Sequence, residues 1–164
     1  MGKSIRFHES DVRPTGRTAR GVRGMSLSPG DRVVGMEVLQ HGQTLFTVTE
    51  NGYGKRTSID EYPVHRRGGK GVISIKTSER NGQVVNIILV QDQDDLMLVT
   101  NNGKLIRMPV SGTSVISRNT QGVRLIVMDS GERVVSAAGL AETEDDEGGN
   151  PVDGEALPSE VPEE

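Results

Sequence analysis

The chain has 164 residues, 33% hydrophobic, with 21 Gly, two Phe, two Tyr, and no Cys or Trp. That composition excludes a disulfide framework and a thiolate metal centre, and with no apolar run near the ~20 residues of a membrane span and no signal-peptide core, a soluble cytoplasmic protein is expected. The net charge of −4 is split: ten carboxylates and no cations follow from Ala141 on, leaving residues 1–140 with 19 Lys+Arg against 13 Asp+Glu, +6, so a polyanion partner is expected for the body.

In chain order, residues 2–7 (GKSIRF) lead to 17–27 (RTARGVRGMSL), with strands expected at 22–27 and 33–38. Residues 45–49 (LFTVT) are β-rich and run into a turn at Glu50-Asn51-Gly52, with a returning strand at 55–59. After RRGGKGVISIK (66–76) come strands at 72–76 and 84–90. Residues 96–100 (LMLVT), the turn Asn101-Asn102-Gly103 and 104–108 form a second hairpin, followed by strands at 123–128 and 134–138.

These stretches are three copies of one unit. Arg6, Arg56 and Arg107 stand 50 and 51 residues apart, and each precedes Gly21, Gly71 or Gly122 by 15 residues. A period near 50 with four short strands per unit describes propeller blades. No stretch shows helical periodicity, so the fold is all-β. The expected organisation is a blade array over 1–140, with repeats at about 1–40, 41–91 and 92–140, and a disordered acidic tail at 141–164. The first repeat lacks the strand preceding its Gly-Lys, so the sequence reads as part of a longer array with an unpaired edge at its start.

The loop before each Gly-Val carries the suggestive chemistry. In the second repeat it is His65 followed by Arg66, Arg67, Gly68, Gly69, Lys70 and Gly71; in the first it holds Arg13, Arg17, Arg20 and Arg23; in the third, Arg118 and Arg124. Arg offers a phosphate two parallel donors, Lys adds a point charge, and glycine lets the backbone approach. An isolated Arg- and Gly-rich loop is as readily a solvated turn, but recurrence at one blade position lines such loops along one rim. Lys55 and Arg56 extend the basic set. A nucleotide-binding P-loop is excluded, since Lys70 is followed by Gly71 and a strand. His8, His41 and His65 lack metal-site spacing, and Asp92, Asp94 and Asp95 read as a polar turn rather than a calcium loop. Four aromatics are too few for base stacking, which leaves contact with a duplex backbone.

The pattern Gly21-Val22-Arg23-Gly24, Asn51-Gly52-Tyr53-Gly54-Lys55-Arg56-Thr57, Glu61-Tyr62-Pro63, Gly71-Val72-Ile73-Ser74-Ile75-Lys76, Glu79-Arg80-Asn81-Gly82 and Arg118-Asn119-Thr120-Gln121-Gly122-Val123 resembles the C-terminal domain of bacterial DNA gyrase A over about residues 2–138. The resemblance implies a β-pinwheel, a propeller-like ring whose blades exchange strands, here its last three blades with the first incomplete. It implies duplex DNA wrapped on the basic rim in the service of negative supercoiling. It further implies partners in the rest of gyrase A and in gyrase B, in the bacterial cytoplasm and nucleoid. No cofactor is expected in this chain; ATP and magnesium belong to the whole enzyme. Residues 66–71 match the family's Gln-Arg-Arg-Gly-Gly-Lys-Gly box, with His65 in place of Gln and in a later blade than the family's own copy. Neither Tyr53 nor Tyr62 lies in the Arg-Tyr-Thr motif of the family's cleavage tyrosine, so a non-catalytic piece is implied. The alternatives are the C-terminal domain of topoisomerase IV, which shares the fold, and a propeller-type protein-interaction module.

Overall fold

The computed structural model describes residues 1–141. Of the expected acidic tail, only Ala141 falls among them. Nine strands form: β1 (Lys3–Ser4), β2 (Thr44–Thr49), β3 (Tyr53–Ser58), β4 (Val72–Ile73), β5 (Val84–Val90), β6 (Asp95–Thr100), β7 (Leu105–Pro109), β8 (Val123–Arg124) and β9 (Val134–Leu140). Among the described residues the only helical pieces are three single 3-10 turns, Glu9–Asp11, Ile59–Glu61 and Val110–Gly112. The fold is all-β, as the periodicity requires.

The hairpins β2–β3 and β6–β7 arise locally. β-branched and aromatic residues fill β2, and Gly52 and Gly103 supply the positive φ of the turns (76° and 80°). In β6 the alternation is plain: Leu96, Leu98 and Thr100 are buried, while Asp95, Met97 and Val99 are half-exposed. β5 returns along β2 and β9 along β6, both antiparallel. The core of Phe46, Val48, Val90, Leu96, Leu98, Val110, Val134 and Ala137 lies where these two blades meet, β5 packing on β9.

The third strand of each unit differs from the simplest reading of the repeat. It is two residues long and leaves its own unit for the preceding blade: β4 pairs with β1 (Lys3 opposite Ile73), and β8 pairs with β3 (Tyr53 opposite Arg124). One sheet therefore runs β5-β2-β3-β8, with its last strand donated by the third repeat. The repeat glycine makes the crossing possible. Gly71 and Gly122 have φ of 69° and 80°, and a Cβ at either would lie 2.2 Å from the Ser4 carbonyl oxygen or 2.6 Å from that of Gly54.

The strands expected at 22–27 and 33–38 do not form. In the other repeats these positions pair with a β3-type and a β2-type strand respectively. No described residues supply such strands to the first repeat, so these two segments form no ladder. Val33, Met36 and Val38 are consequently exposed.

Candidate nucleic-acid interface

The basic loops of the second and third repeats each span from a 3-10 turn to a donated strand, so their two ends are anchored in different sheets, whereas the first repeat's loop follows the turn at Glu9–Asp11 and reaches no strand. The loop at 65–71 lies beside the loop of the first repeat: the Gly68 N–H donates to the Gly24 carbonyl (2.6 Å) and the Ser26 N–H to the Gly69 carbonyl (2.8 Å). Arg13, Arg17, Arg20, Arg23, Arg66 and Lys70 are all carried on these two loops, and none of their side chains makes a hydrogen bond or ion pair among the described residues. The Gly68 amide is engaged across the loops and is not free to donate to a ligand. Gly69 keeps the loop thin over Ile5, and Gly71 admits the strand crossing.

Arg67 and Arg118 stand apart from these free cations. Arg67 Nε donates to the Asp11 carbonyl (2.9 Å) and Nη1 to the Arg23 carbonyl (3.1 Å). Arg118 Nε donates to the Glu61 carbonyl (3.1 Å) and Nη1 to the Ile73 carbonyl (2.8 Å). The acceptors are the same positions one repeat apart. Both side chains are struts tying a loop to the preceding repeat's 3-10 turn and to the segment that follows that repeat's own loop, which is the strand β4 for Arg118 and unladdered backbone for Arg67.

Lys55 and Arg56 are corrected outright. Both are buried, at 0% and 4% exposure, and neither can reach a phosphate. The Lys55 ammonium donates to the carbonyls of Ser117 (2.9 Å) and Arg118 and to Thr120 Oγ1 (3.3 Å), pinning the third basic loop from beneath. Burial pulls its pKa down from 10.5 to about 8, with Glu61 opposing the shift and Arg118 adding to it. Arg56 Nη1 lies 3.4 Å from the carbonyls of Val110 and Thr113, and its Nη2 pairs with Asp92. Arg6 does the same one repeat earlier, donating to the carbonyls of Ile59 (2.9 Å) and Tyr62 (3.2 Å). Two of the three periodic arginines, Arg6 and Arg56, thus clamp the next blade's 3-10 turn, while Arg107 pairs with Asp95 on its own hairpin.

Arg124 is exposed but held over Tyr53. Its carbon Cζ lies 5.5 Å from the ring centroid, and Nη2 and Nε reach the phenol oxygen at 3.0 and 3.3 Å. Arg80, which the loop pattern does not single out, approaches the same ring (5.0 Å) and oxygen (3.2 Å). Hydrogen bonds from Arg80 and then Arg124 lower the Tyr53 pKa. Tyr62 is the opposite case: it is buried against Ser74 Oγ (2.9 Å), and burial raises its pKa. The aspartates serve separate partners. Asp92 pairs with Arg56, Asp94 accepts from the Gln91 amide (2.7 Å), and Asp95 accepts from Arg107 (2.6 Å). No group of three or more His, Cys, Asp or Glu among the described residues could hold a metal ion.

Blades that exchange short strands, with basic loops at the crossings, define a β-propeller-like domain of the kind found in type II topoisomerases. The family model for the DNA gyrase C-terminal domain, beta-propeller, matches residues 2–40, 43–91 and 94–138, and the chain belongs to that family. It is 49% identical over 155 residues to the A subunit of DNA gyrase from Klebsiella oxytoca and 48% identical over 155 residues to that of Escherichia coli K12, each time covering 94% of this chain and 18% of the relative. With the corresponding gyrase protein of Staphylococcus epidermidis it shares 48% over 143 residues, 86% of this chain and 16% of that one. The chain therefore spans under a fifth of these relatives' length. Among solved structures, a DNA gyrase A C-terminal domain superposes with a TM-score of 0.78 at 31% identity, covering 85% of this chain and 47% of that one. A topoisomerase IV C-terminal domain shares the fold, with a TM-score of 0.78 at 24% identity over 84% of this chain and 43% of that one.

Proposed function

We propose that this domain binds and wraps duplex DNA on its basic loops, as a non-catalytic part of a gyrase that introduces negative supercoils. The observation that carries the reading is the hydrogen-bonded pairing of the loops at 12–26 and 65–71, which puts Arg13, Arg20, Arg23, Arg66 and Lys70 on adjoining surfaces without carboxylate partners among the described residues. Backbone binding needs such unpaired cations on a curved, rigid support, and it gains affinity by releasing counterions. Direct base readout is unsupported, since the described residues form no helix longer than a single 3-10 turn that could enter a groove. The remainder of gyrase A, together with gyrase B and its ATP and magnesium, would supply strand passage. The setting is the bacterial cytoplasm, at the nucleoid.

A salt titration of duplex binding tests this. Log K should fall with log salt at about 0.9 per neutralised phosphate, and the variant with Arg20, Arg66 and Lys70 all changed to Ala should bind more weakly with a shallower slope. A slope and affinity equal to the parent's would rule out the loops as the contact surface.

A further inference from the structure

The loops lose charge along the array, and the third junction of loop and blade makes up the loss in another way. Where the second repeat's loop has Arg66 and Lys70, the third has Ser117 and Gln121, and its one remaining loop arginine, Arg118, is a strut. Beside that loop, however, two cations converge on one phenol. Arg124 reaches Tyr53 from β8, immediately after the loop, and Arg80 reaches it from the turn at 78–82. That turn is fixed to the loop by Asn81, whose Nδ2 donates to the carbonyls of Lys76 (2.8 Å) and Gln121 (3.0 Å) while its Oδ1 accepts from the Ser78 amide (2.7 Å).

The cluster is electrostatically incomplete. Neither Arg80 nor Arg124 has an ion-pair partner among the described residues, although the two guanidinium groups share one oxygen. Each guanidinium retains further N–H donors, and the phenol proton has no acceptor among the described residues. Two like charges held together with surplus donors match a tetrahedral anion that accepts from both exposed forks, while the phenol, only 5% exposed, holds them in place. The same positions at the preceding junction are Lys3, Ile73 and Gly30, so no such cluster exists where the loop keeps its own cations.

We propose that Arg80, Tyr53 and Arg124 form a phosphodiester-binding notch that continues the DNA track where the loop cations run out. This rests on the DNA-wrapping reading and assigns it a contact outside the Gly-Val loops. Tyr53, itself only 5% exposed, orients the two exposed forks, which make the contact with the phosphate.

The test uses the whole chain and a short blunt duplex, with Arg80→Ala and Arg66→Ala measured in parallel. Arg80→Ala should weaken binding several-fold and reduce the salt slope by about 0.9, the value of one phosphate contact. A second measurement keeps the parent arginines. In the Tyr62→Phe variant the only remaining phenol is Tyr53, and saturating duplex should move its ultraviolet titration to higher pH, because an adjacent phosphate disfavours phenolate. If Arg66→Ala weakens binding while Arg80→Ala does not, and the phenol titration stays put, the notch is overturned and the loop reading stands. If neither variant differs from the parent, both fail. If inorganic triphosphate moves the phenol titration and duplex does not, the cluster is a small-anion site and the DNA assignment is wrong.

Discussion

Gly122 passes so close to Gly54 that a Cβ on Gly122 would stand 2.6 Å from the Gly54 carbonyl oxygen. The φ of Gly122 is 80°, so alanine there is opposed twice, by the left-handed backbone and by the crossing strand. Gly21 has a similar φ of 73° but nothing within 4 Å of its notional Cβ. Gly21→Ala should therefore lose only the conformational part, about 1–2 kcal/mol, and Gly122→Ala clearly more. Urea unfolding of the two variants measures the difference, which is the contribution of the strand crossing.

Arg66 and Arg67 are adjacent in sequence and opposite in use. Arg67→Ala removes two charge-assisted hydrogen bonds at a partly exposed site, so a loss of about 1 kcal/mol in stability is expected, at the low end for such bonds because water competes there. Arg118→Ala should behave alike. Arg66→Ala should leave the unfolding midpoint unchanged and lower duplex affinity, and comparing unfolding with binding for all three variants separates strut from contact.

The buried ammonium of Lys55 gives the domain an alkaline signature. Its folded pKa of about 8 lies below the ordinary 10.5, so across that window the unfolded chain holds a proton that the folded chain has released. Stability then rises with pH through the window, by up to about 1.4 kcal/mol per unit, and is flat in this respect below it, where both states are protonated. Lys55→Met should abolish that rise. Unfolding free energies of parent and variant at matched pH values check the sign.

The core between the blades sets the remaining expectations. Leu98 is fully buried there, and Leu98→Ala should destabilise by about 2–5 kcal/mol. Thr47 occupies the same position one repeat earlier, also fully buried, with a hydroxyl that has no partner among the described residues. Thr47→Val keeps the shape and removes that hydroxyl, so it should be neutral or stabilising by about 1 kcal/mol. Thermal unfolding reads both.

The hairpins and returning strands are legible in the sequence because their signals are local: β-branched runs such as residues 45–49, bounded by a glycine turn. The destination of the third strand is not, since β4 and β8 are two residues each and pair across repeats, where no local pattern points. Basic residues mislead for a related reason. Lys55 and Arg56 look like surface cations taken singly, yet Lys55 occupies the register position held by Ile5 and Ile106, and that apolar company marks an interior site. Likewise Arg67 and Arg118 persist in register while their loops diverge, which is the mark of a shared backbone contact. Arg80 lies outside every basic run, so only the folded turn brings it to Tyr53.

Because the donated strands β4 and β8 place the two ends of the second and third basic loops in different sheets, a pull on either loop is divided between two blades. Tension from a bent polymer held at residues 65–71 would pass through β3 on one side and β4 on the other. If a bent polymer is held there as proposed, resistance to its recoil would reside in the crossings rather than in the charged loop groups.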